Sequence, residues 1–157
     1  MTEHLPTAEK KPLGEGAIIV VPSPDDTSLP ARHRRYLVIR RSAAVIAPGK
    51  LCFPGGKCLP GERPDETAER EFREEIGVEA AIVREIWQNV APWGVHLVWF
   101  LAILRDPKRT FHLQKEEVAE AFWSDLETLL ADPDMLTSNT EFLEGALRGT
   151  IDLEFPH

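Results

Sequence analysis

The most informative part of this chain is the segment Gly56-Lys57-Cys58-Leu59-Pro60-Gly61-Glu62, followed after seven residues by Arg70-Glu71-Phe72-Arg73-Glu74-Glu75-Ile76-Gly77-Val78. The stretch fills all nine specified positions of the pattern G-x5-E-x7-R-E-U-x-E-E-x-G-U, where U is a bulky apolar residue. At ordinary composition, a chain of this length would match that pattern by chance about once in a million times. The spacing therefore carries information about function.

The second part of this stretch predicts an amphipathic helix over residues 64–76. Pro64 suits the first turn of a helix, and Gly77 suits the position just after the last turn. Between them, apolar side chains recur at every fourth position: Ala68, Phe72 and Ile76. One side of the helix is therefore predicted to be buried.

Three glutamates of this helix fall within one arc of about 100° beside the apolar stripe: Glu71, Glu74 and Glu75. Like charges at these spacings oppose a helix, whereas a hard divalent cation that takes oxygen ligands would reverse the effect. The cluster therefore predicts a site for Mg²⁺ or Mn²⁺. The alternative is a solvated acidic face, in which Glu66–Arg70 and Glu69–Arg73 form ordinary surface pairs.

The pattern is the Nudix box, and the chain resembles the Nudix hydrolase family over most of residues 15–147. The resemblance implies an α/β/α sandwich around a mixed β-sheet, within the α/β (α+β) class. It also implies hydrolysis of a nucleoside diphosphate linked to another moiety X. A small-molecule nucleotide is therefore the expected substrate.

The resemblance assigns roles to individual residues. It implies that Glu71, Glu74 and Glu75 ligate the metal, with a backbone carbonyl of Gly55 or Gly56 nearby. Arg70 and Glu62 would orient the loop and the helix. Glu71 is the first choice for the base that activates water. A later loop offers three alternative bases or additional metal ligands: Glu116, Glu117 and Glu120.

A closer similarity is to the MutT-type nucleoside triphosphate pyrophosphohydrolases, and it runs without a gap from Arg40 to Lys57. It implies that Arg41 contacts substrate phosphate, for which a planar guanidinium is suited. Glu117 stands six residues before Trp123, at the spacing of an extra metal-binding glutamate. Asn139 lies near the position of an asparagine that reads a purine, although it could instead belong to a helix start.

Two further positions bear on the nucleobase. Cys52 replaces the glutamate that the MutT segment carries, which leaves base preference open. Among the four tryptophans, Trp93 is the candidate for stacking on a base, because it lies beside Pro92 and Gly94 in a predicted loop.

The remaining chain predicts strands at residues 17–21, 36–39, 51–53, 80–87, 95–104 and 118–123, although the Glu and Ala content of the last segment also suits a helix. A tight turn is predicted at 54–56, where two glycines follow a proline. Two helices are predicted near the C-terminus from the capping-box patterns Ser124-x-x-Glu127 and Ser138-x-x-Glu141.

Length and charge agree with a small enzyme. The 157 residues predict a flexible tail over 1–12 and a single domain over 13–157. A net charge of −8 and a pI near 5.1 argue against general nucleic-acid binding. There is no apolar run of membrane-spanning length and no signal-peptide pattern, so we expect a cytoplasmic monomer or homodimer without membrane contact. Cys52 is expected to be buried, and Cys58 is assigned no role.

Three functional hypotheses follow. The first is a Mg²⁺-dependent pyrophosphohydrolase acting on a nucleoside triphosphate. The second keeps the chemistry but takes ADP-ribose, a nucleotide sugar or a dinucleoside polyphosphate. The third is a non-catalytic Nudix-fold ligand sensor, which the intact glutamate set disfavours.

Overall fold

A computed structural model describes residues 14–156. Its strands are β1 (Glu15–Val20), β2 (Arg35–Arg41), β3 (Leu51–Cys52), β4 (Gly55–Lys57), β5 (Ala80–Val90), β6 (His96–Leu104) and β7 (Val118–Asp125). Its α-helices are α1 (Pro64–Ile76), α2 (Leu126–Ala131) and α3 (Thr137–Arg148). The predicted tail over 1–12 lies outside the described residues, and the boundary of a single domain at 13–157 stays a prediction.

The strands form two sheets. The larger has the order β4-β1-β6-β5, in which β1 runs parallel to β6 and the other neighbours are antiparallel. The smaller sheet has the order β3-β2-β7 and is antiparallel throughout. The predicted mixture of parallel and antiparallel strands is confirmed.

Helices cover the strands on two sides because successive side chains of a strand point to opposite faces. On β1, Ala17 and Ile19 pack in a core that also holds Phe72 and Ile76 of α1. The next residue, Val20, points to the other face and packs in a second core with Phe142 and Leu143 of α3 and a fully buried Trp99. This arrangement is the α/β/α sandwich implied by the family resemblance.

Helix α1 has the predicted bounds because both of its ends are encoded locally. Pro64 occupies the first turn, and the backbone N–H of Arg63 donates to Glu66 Oε1 at 2.9 Å. Gly77 ends the helix with a φ of 81°, which favours glycine. Within residues 14–156, no helix is long and apolar enough to cross a membrane.

Both predicted capping boxes near the C-terminus are wrong, although the helices are present. Ser124 is still paired with Tyr36 in the sheet, so α2 begins one residue later with Asp125 as its cap, accepting from Thr128 N at 2.9 Å. Helix α3 has Leu136 as its N-cap, because Leu136 N donates to Leu51 O at 2.8 Å and keeps the chain extended. Ser138 therefore lies inside the first turn.

The tight turn predicted at 54–56 is also wrong. The chain bends at Pro54, and Gly55 and Gly56 then continue as strand β4 beside β1. Glycine is needed there for close packing and not for a turn, because a Cβ at Gly55 would collide with the carbonyl oxygen of Ala17.

Candidate active site

The structure brings three glutamates together at one end of α1. Glu71 and Glu75 lie one helical turn apart, and Glu117 comes from the loop that precedes β7. One carboxylate oxygen from each residue lies within 4.8 Å of the other two. We call these three residues the glutamate cluster.

The two glycines of β4 make room for the cluster and hold it in place. The carboxylate of Glu71 occupies the space that a Cβ at Gly56 would fill. The backbone N–H of Gly55 donates to Glu75 Oε1 at 3.1 Å. The sequence prediction placed these glycines near the metal through their carbonyls, and the structure adds this N–H contact.

Glu117 is positioned by Ser42, a residue that the sequence analysis did not identify. The backbone N–H of Ser42 donates to the carbonyl of Glu117 at 2.9 Å, and its hydroxyl donates to the carbonyl of Glu116 at 2.6 Å. Ser42 is buried. No sequence signal pointed to it, because its partners stand about 74 positions further along the chain.

The cluster is electrostatically strained in the absence of a counter-charge. Burial raises the pKa of Glu75 well above its ordinary value, and the charge of Glu71 adds to the rise. Burial likewise raises the pKa of Glu71, with Glu74 and Glu117 adding to it and Arg70 opposing it. Carboxylates that disfavour their charged form in this way are suited to bind a cation.

Arg70 anchors a second network, which shares Glu71 with the glutamate cluster. Its Nε and Nη2 donate to the two oxygens of Glu62 at 2.8 and 3.0 Å, and Nη2 also reaches the carbonyl of Lys57. Its Nη1 donates to Glu71 at 3.2 Å and to Glu74 at 3.1 Å. Thr67 Oγ1 donates to Glu62 at 2.7 Å. We call these residues the Arg70 network.

The surface pairs considered for α1 are absent from residues 14–156, because Arg70 turns to this network and Glu66 accepts at the helix start. Arg73 pairs with Glu79 at 3.3 Å, and Glu69 accepts from Ile82 N at 3.2 Å. The orienting role of Arg70 and Glu62 implied by the resemblance matches these contacts.

The other candidate carboxylates lie outside the cluster. The Glu74 side chain is 55% exposed and bonds to Arg70. Glu120 pairs with Arg40 at 3.4 Å, and Glu116 is exposed and contributes its backbone carbonyl to Ser42. Of the three alternatives in the later loop, the structure therefore brings only Glu117 into the cluster.

Arg41 lies at the end of β2 beside the cluster. Its positive charge opposes the rise in the pKa of Glu75. Its Nε donates to the carbonyl of Ile46 at 2.6 Å, and its Nη1 lies 3.8 Å from Cys52 Sγ. Burial raises the pKa of Cys52 to about 11, so the thiol is neutral and leaves the Arg41 charge uncompensated.

Asn139 is buried, with 2% of its surface exposed. Its Oδ1 accepts from the backbone N–H of Phe53 at 3.1 Å, and its Nδ2 lies 3.4 Å from Ser138 Oγ. The side chain thus ties α3 to the segment that leads into β4. It does not cap the helix, because the N-cap residue is Leu136.

Trp93 lies in the loop between β5 and β6 and is 52% exposed. In contrast, Trp99 is fully buried and stacks on Phe142 with ring centroids 4.4 Å apart. An aromatic group available to a ligand is therefore present at Trp93 and absent at Trp99.

Comparison with known sequences identifies the family of the chain. The NUDIX domain model matches residues 18–145. Nudix hydrolase 3 of Caenorhabditis elegans is 62% identical over 42 residues, which are 27% of this chain and 17% of that protein. The 8-oxo-dGTP diphosphatase of Escherichia coli (strain K12) is 39% identical over 46 residues, 29% of this chain and 36% of that protein. The matches thus span well under two thirds of either relative.

Comparison with solved structures extends the likeness to nearly the whole fold. A MutT protein from Methanosarcina mazei Go1 superposes with a TM-score of 0.66 at 21% identity, covering 90% of this chain and 97% of that one. A C. elegans Ap4A hydrolase gives a TM-score of 0.67 at 19% identity, covering 87% and 98% of the two chains. At these identities the likeness concerns the fold.

Proposed function

The chain belongs to the Nudix hydrolase family, and from that membership we propose that it is a divalent-metal-dependent pyrophosphohydrolase that acts on a nucleoside triphosphate. Nudix hydrolases cleave phosphoanhydride bonds of nucleoside diphosphate derivatives. The observation that carries the proposal is the glutamate cluster, in which carboxylate oxygens of Glu71, Glu75 and Glu117 converge within 4.8 Å.

The residues of the cluster fit a hard divalent ion. All three donors are carboxylate oxygens, which Mg²⁺ and Mn²⁺ prefer. The raised pKa values of Glu71 and Glu75 reflect charges that burial and proximity disfavour. Glu71, Glu75 and Glu117 would hold the ion. When bound, the metal neutralises charge on bridging phosphates and acidifies a coordinated water.

The chain's own groups supply orientation and proton transfer. We assign Glu71 as the base, because its carboxylate is buried against Gly56 and its raised pKa favours accepting a proton. Glu117 is the alternative base. Arg70 holds Glu71 in place at 3.2 Å while remaining fixed on Glu62. Arg41 binds phosphate oxygens through the guanidinium that Cys52 leaves uncompensated.

Two further residues are proposed to contact the nucleobase. Asn139 would read a purine through Nδ2, since Oδ1 is committed to Phe53. Trp93 would stack on the base from its exposed loop. Removing a base-specific contact should flatten the preference among bases, whereas Arg41→Ala should lower kcat/KM by a similar factor for every nucleotide.

A substrate panel tests the proposal. Canonical and oxidised deoxynucleoside triphosphates, ADP-ribose, nucleotide sugars, diadenosine polyphosphates and coenzyme A would be incubated with Mg²⁺, and the products separated by chromatography. A nucleoside triphosphatase of this type releases a nucleoside monophosphate and pyrophosphate. Glu75→Gln should abolish turnover, while Glu79→Gln, which removes the same charge beyond the end of α1, should not.

Other results would point to the alternative functions. If ADP-ribose, a nucleotide sugar or a dinucleoside polyphosphate were cleaved preferentially, the proposed reaction would stand but the substrate would not be a nucleoside triphosphate. Tight metal-dependent binding without turnover of any compound would identify a ligand sensor instead.

A further inference from the structure

A cavity of about 530 Å³ lies away from the glutamate cluster, between the loop after β6 and the short 3-10 helix Pro24–Asp26. Its floor is apolar and includes Leu104, Phe111 and Trp123. None of its lining residues belongs to the cluster or to the Arg70 network. Its volume falls in the range of small-molecule sites.

Two cations stand on one wall of this cavity. Neither Lys108 nor Arg109 forms an ion pair within residues 14–156. The nearby carboxylate of Asp106 is used by the loop itself, because it accepts from Lys108 N at 3.1 Å. The carbonyl of Asp106 accepts from Arg109 N at 3.1 Å. The loop is therefore held by its backbone, and within the described part of the chain neither basic side chain is committed to a carboxylate.

The floor offers an aromatic surface. The rings of Phe111 and Trp123 are half-buried, with centroids 6.2 Å apart and planes inclined by 49°. Half-buried rings can accept another flat ring in van der Waals contact, an interaction that tolerates any base.

A second cavity of about 510 Å³ provides an internal comparison. It also holds two arginines, Arg32 and Arg148, but two carboxylates, Asp152 and Glu154, line it as well, and no aromatic residue does. The first cavity has one carboxylate, Asp25, and two aromatic rings. Only the first therefore combines surplus positive charge with an aromatic floor.

We propose that the first cavity is a second ligand site, which binds a small aromatic anion of the nucleoside monophosphate class. The ring of the ligand lies on Phe111 and Trp123, and its phosphate pairs with Lys108 and Arg109. In a protein with a net charge of −8, such a local basic site gives an anion a place to bind apart from the acidic cluster.

Calorimetric titration with GMP in EDTA tests this site, with inorganic phosphate as a second probe. Lys108→Gln/Arg109→Gln should weaken GMP binding about tenfold or more, and Phe111→Leu should do the same through the lost ring. Phe111→Tyr retains the ring and should bind nearly as the wild type does. The matched control, Arg32→Gln/Arg148→Gln, removes the same charge from the second cavity and should leave the affinity unchanged.

Several results would overturn the proposal. One is no saturable binding up to about 10 mM GMP, and another is an equal loss in the control double variant. Loss of binding in Arg41→Gln would place GMP at the glutamate cluster instead. If inorganic phosphate bound as tightly as GMP, and Phe111→Leu bound GMP as the wild type does, the aromatic rings would play no part in recognition.

Discussion

Two groups of carboxylates on and around α1 differ only in their surroundings. In the Arg70 network, Glu62 receives two bonds from the guanidinium and one from Thr67, and these hydrogen bonds lower its pKa to about 2. In the glutamate cluster, burial and like charges raise the pKa of Glu71 and of Glu75. The first group stabilises the fold at neutral pH, whereas the second opposes it.

This difference separates structural from functional acidity within one motif. A carboxylate that is already paired with a cationic side chain binds a metal ion weakly. A carboxylate whose charge is disfavoured by burial and like charges is stabilised most when a cation binds. The Nudix box thus holds both kinds of residue within a few positions of each other, with Arg70 touching both groups through Glu62 and Glu71.

The largest expected effect comes from removing a cluster charge. Glu75→Gln should lower kcat at least about a hundredfold, because losing even a residue that supports a metal ligand costs 10- to 100-fold. The same variant should unfold at equal or higher urea concentration than the wild type in EDTA, since a strained charge is gone. Added Mg²⁺ should stabilise the wild type and not the variant.

Glu74→Gln provides a comparison within the same motif, because the Glu74 side chain is exposed and pairs with Arg70. We expect a smaller loss of kcat than for Glu75→Gln. Full turnover in Glu75→Gln at saturating Mg²⁺ would contradict the assignment of the cluster as the metal site.

Replacing either glycine of β4 with alanine should affect a different property: stability for Gly55 and turnover for Gly56. Gly55→Ala places a methyl group against the backbone of β1, which cannot yield easily, and should cost about 3 kcal/mol of unfolding free energy. At Gly56 the nearest atoms to an added methyl group belong to the carboxylate end of the Glu71 side chain, so Gly56→Ala should displace that carboxylate and lower kcat while changing stability much less. Urea unfolding and steady-state kinetics on both variants measure the contrast, and identical profiles would disprove it.

Breaking the Arg70 network should act on stability first. Glu62→Gln weakens a charge-assisted pair whose side chains are only 14–16% exposed, so we expect a loss of about 2 kcal/mol in urea unfolding. Glu66→Gln, on the more exposed side of α1, serves as the control. A fall in kcat at unchanged stability would mean that Glu62 acts in the reaction.

The smallest expected effect is a change in acid sensitivity. Because the pKa of folded Glu62, about 2, lies below its ordinary value of 4.5, its contribution to stability is complete above about pH 4.5 and is lost as the pH falls toward 2. The stability difference between wild type and Glu62→Gln should therefore shrink from pH 5 to pH 3. A constant difference across this range would show that the charge of Glu62 does not stabilise the fold.

Local signals explain what the sequence could predict. The bounds of α1 were correct because Pro64, Gly77 and the apolar repeat all lie within the helix or next to it. The helical arc also placed Glu71 and Glu75 together. The arc could not separate Glu75, which is 6% exposed, from Glu74, whose side chain is 55% exposed. The two lie at opposite edges of the arc, and the strand that packs against α1, where Gly55 bonds to Glu75, decides which edge is buried.

Contacts between distant parts of the chain could not be predicted. Asn139 was ambiguous between a helix cap and a base reader, and its observed partner, Phe53, stands 86 positions away. No local pattern marks Ser42, which positions Glu117 from about 75 residues away in the sequence. The shift of the α2 cap to Asp125 depends on Ser124 pairing across the sheet with Tyr36, which no local pattern encodes.

The parallel pairing of β1 with β6 has a consequence for how the protein is made. Glu15 pairs with His96, so β1 cannot pair with β6 until residues 96–101 have been synthesised. During synthesis from the N-terminus, α1 and β4 therefore emerge well before the sheet that supports them is complete, and Glu117 emerges later still. Such non-local closure slows folding. The glutamate cluster is therefore among the last parts of the described fold to assemble.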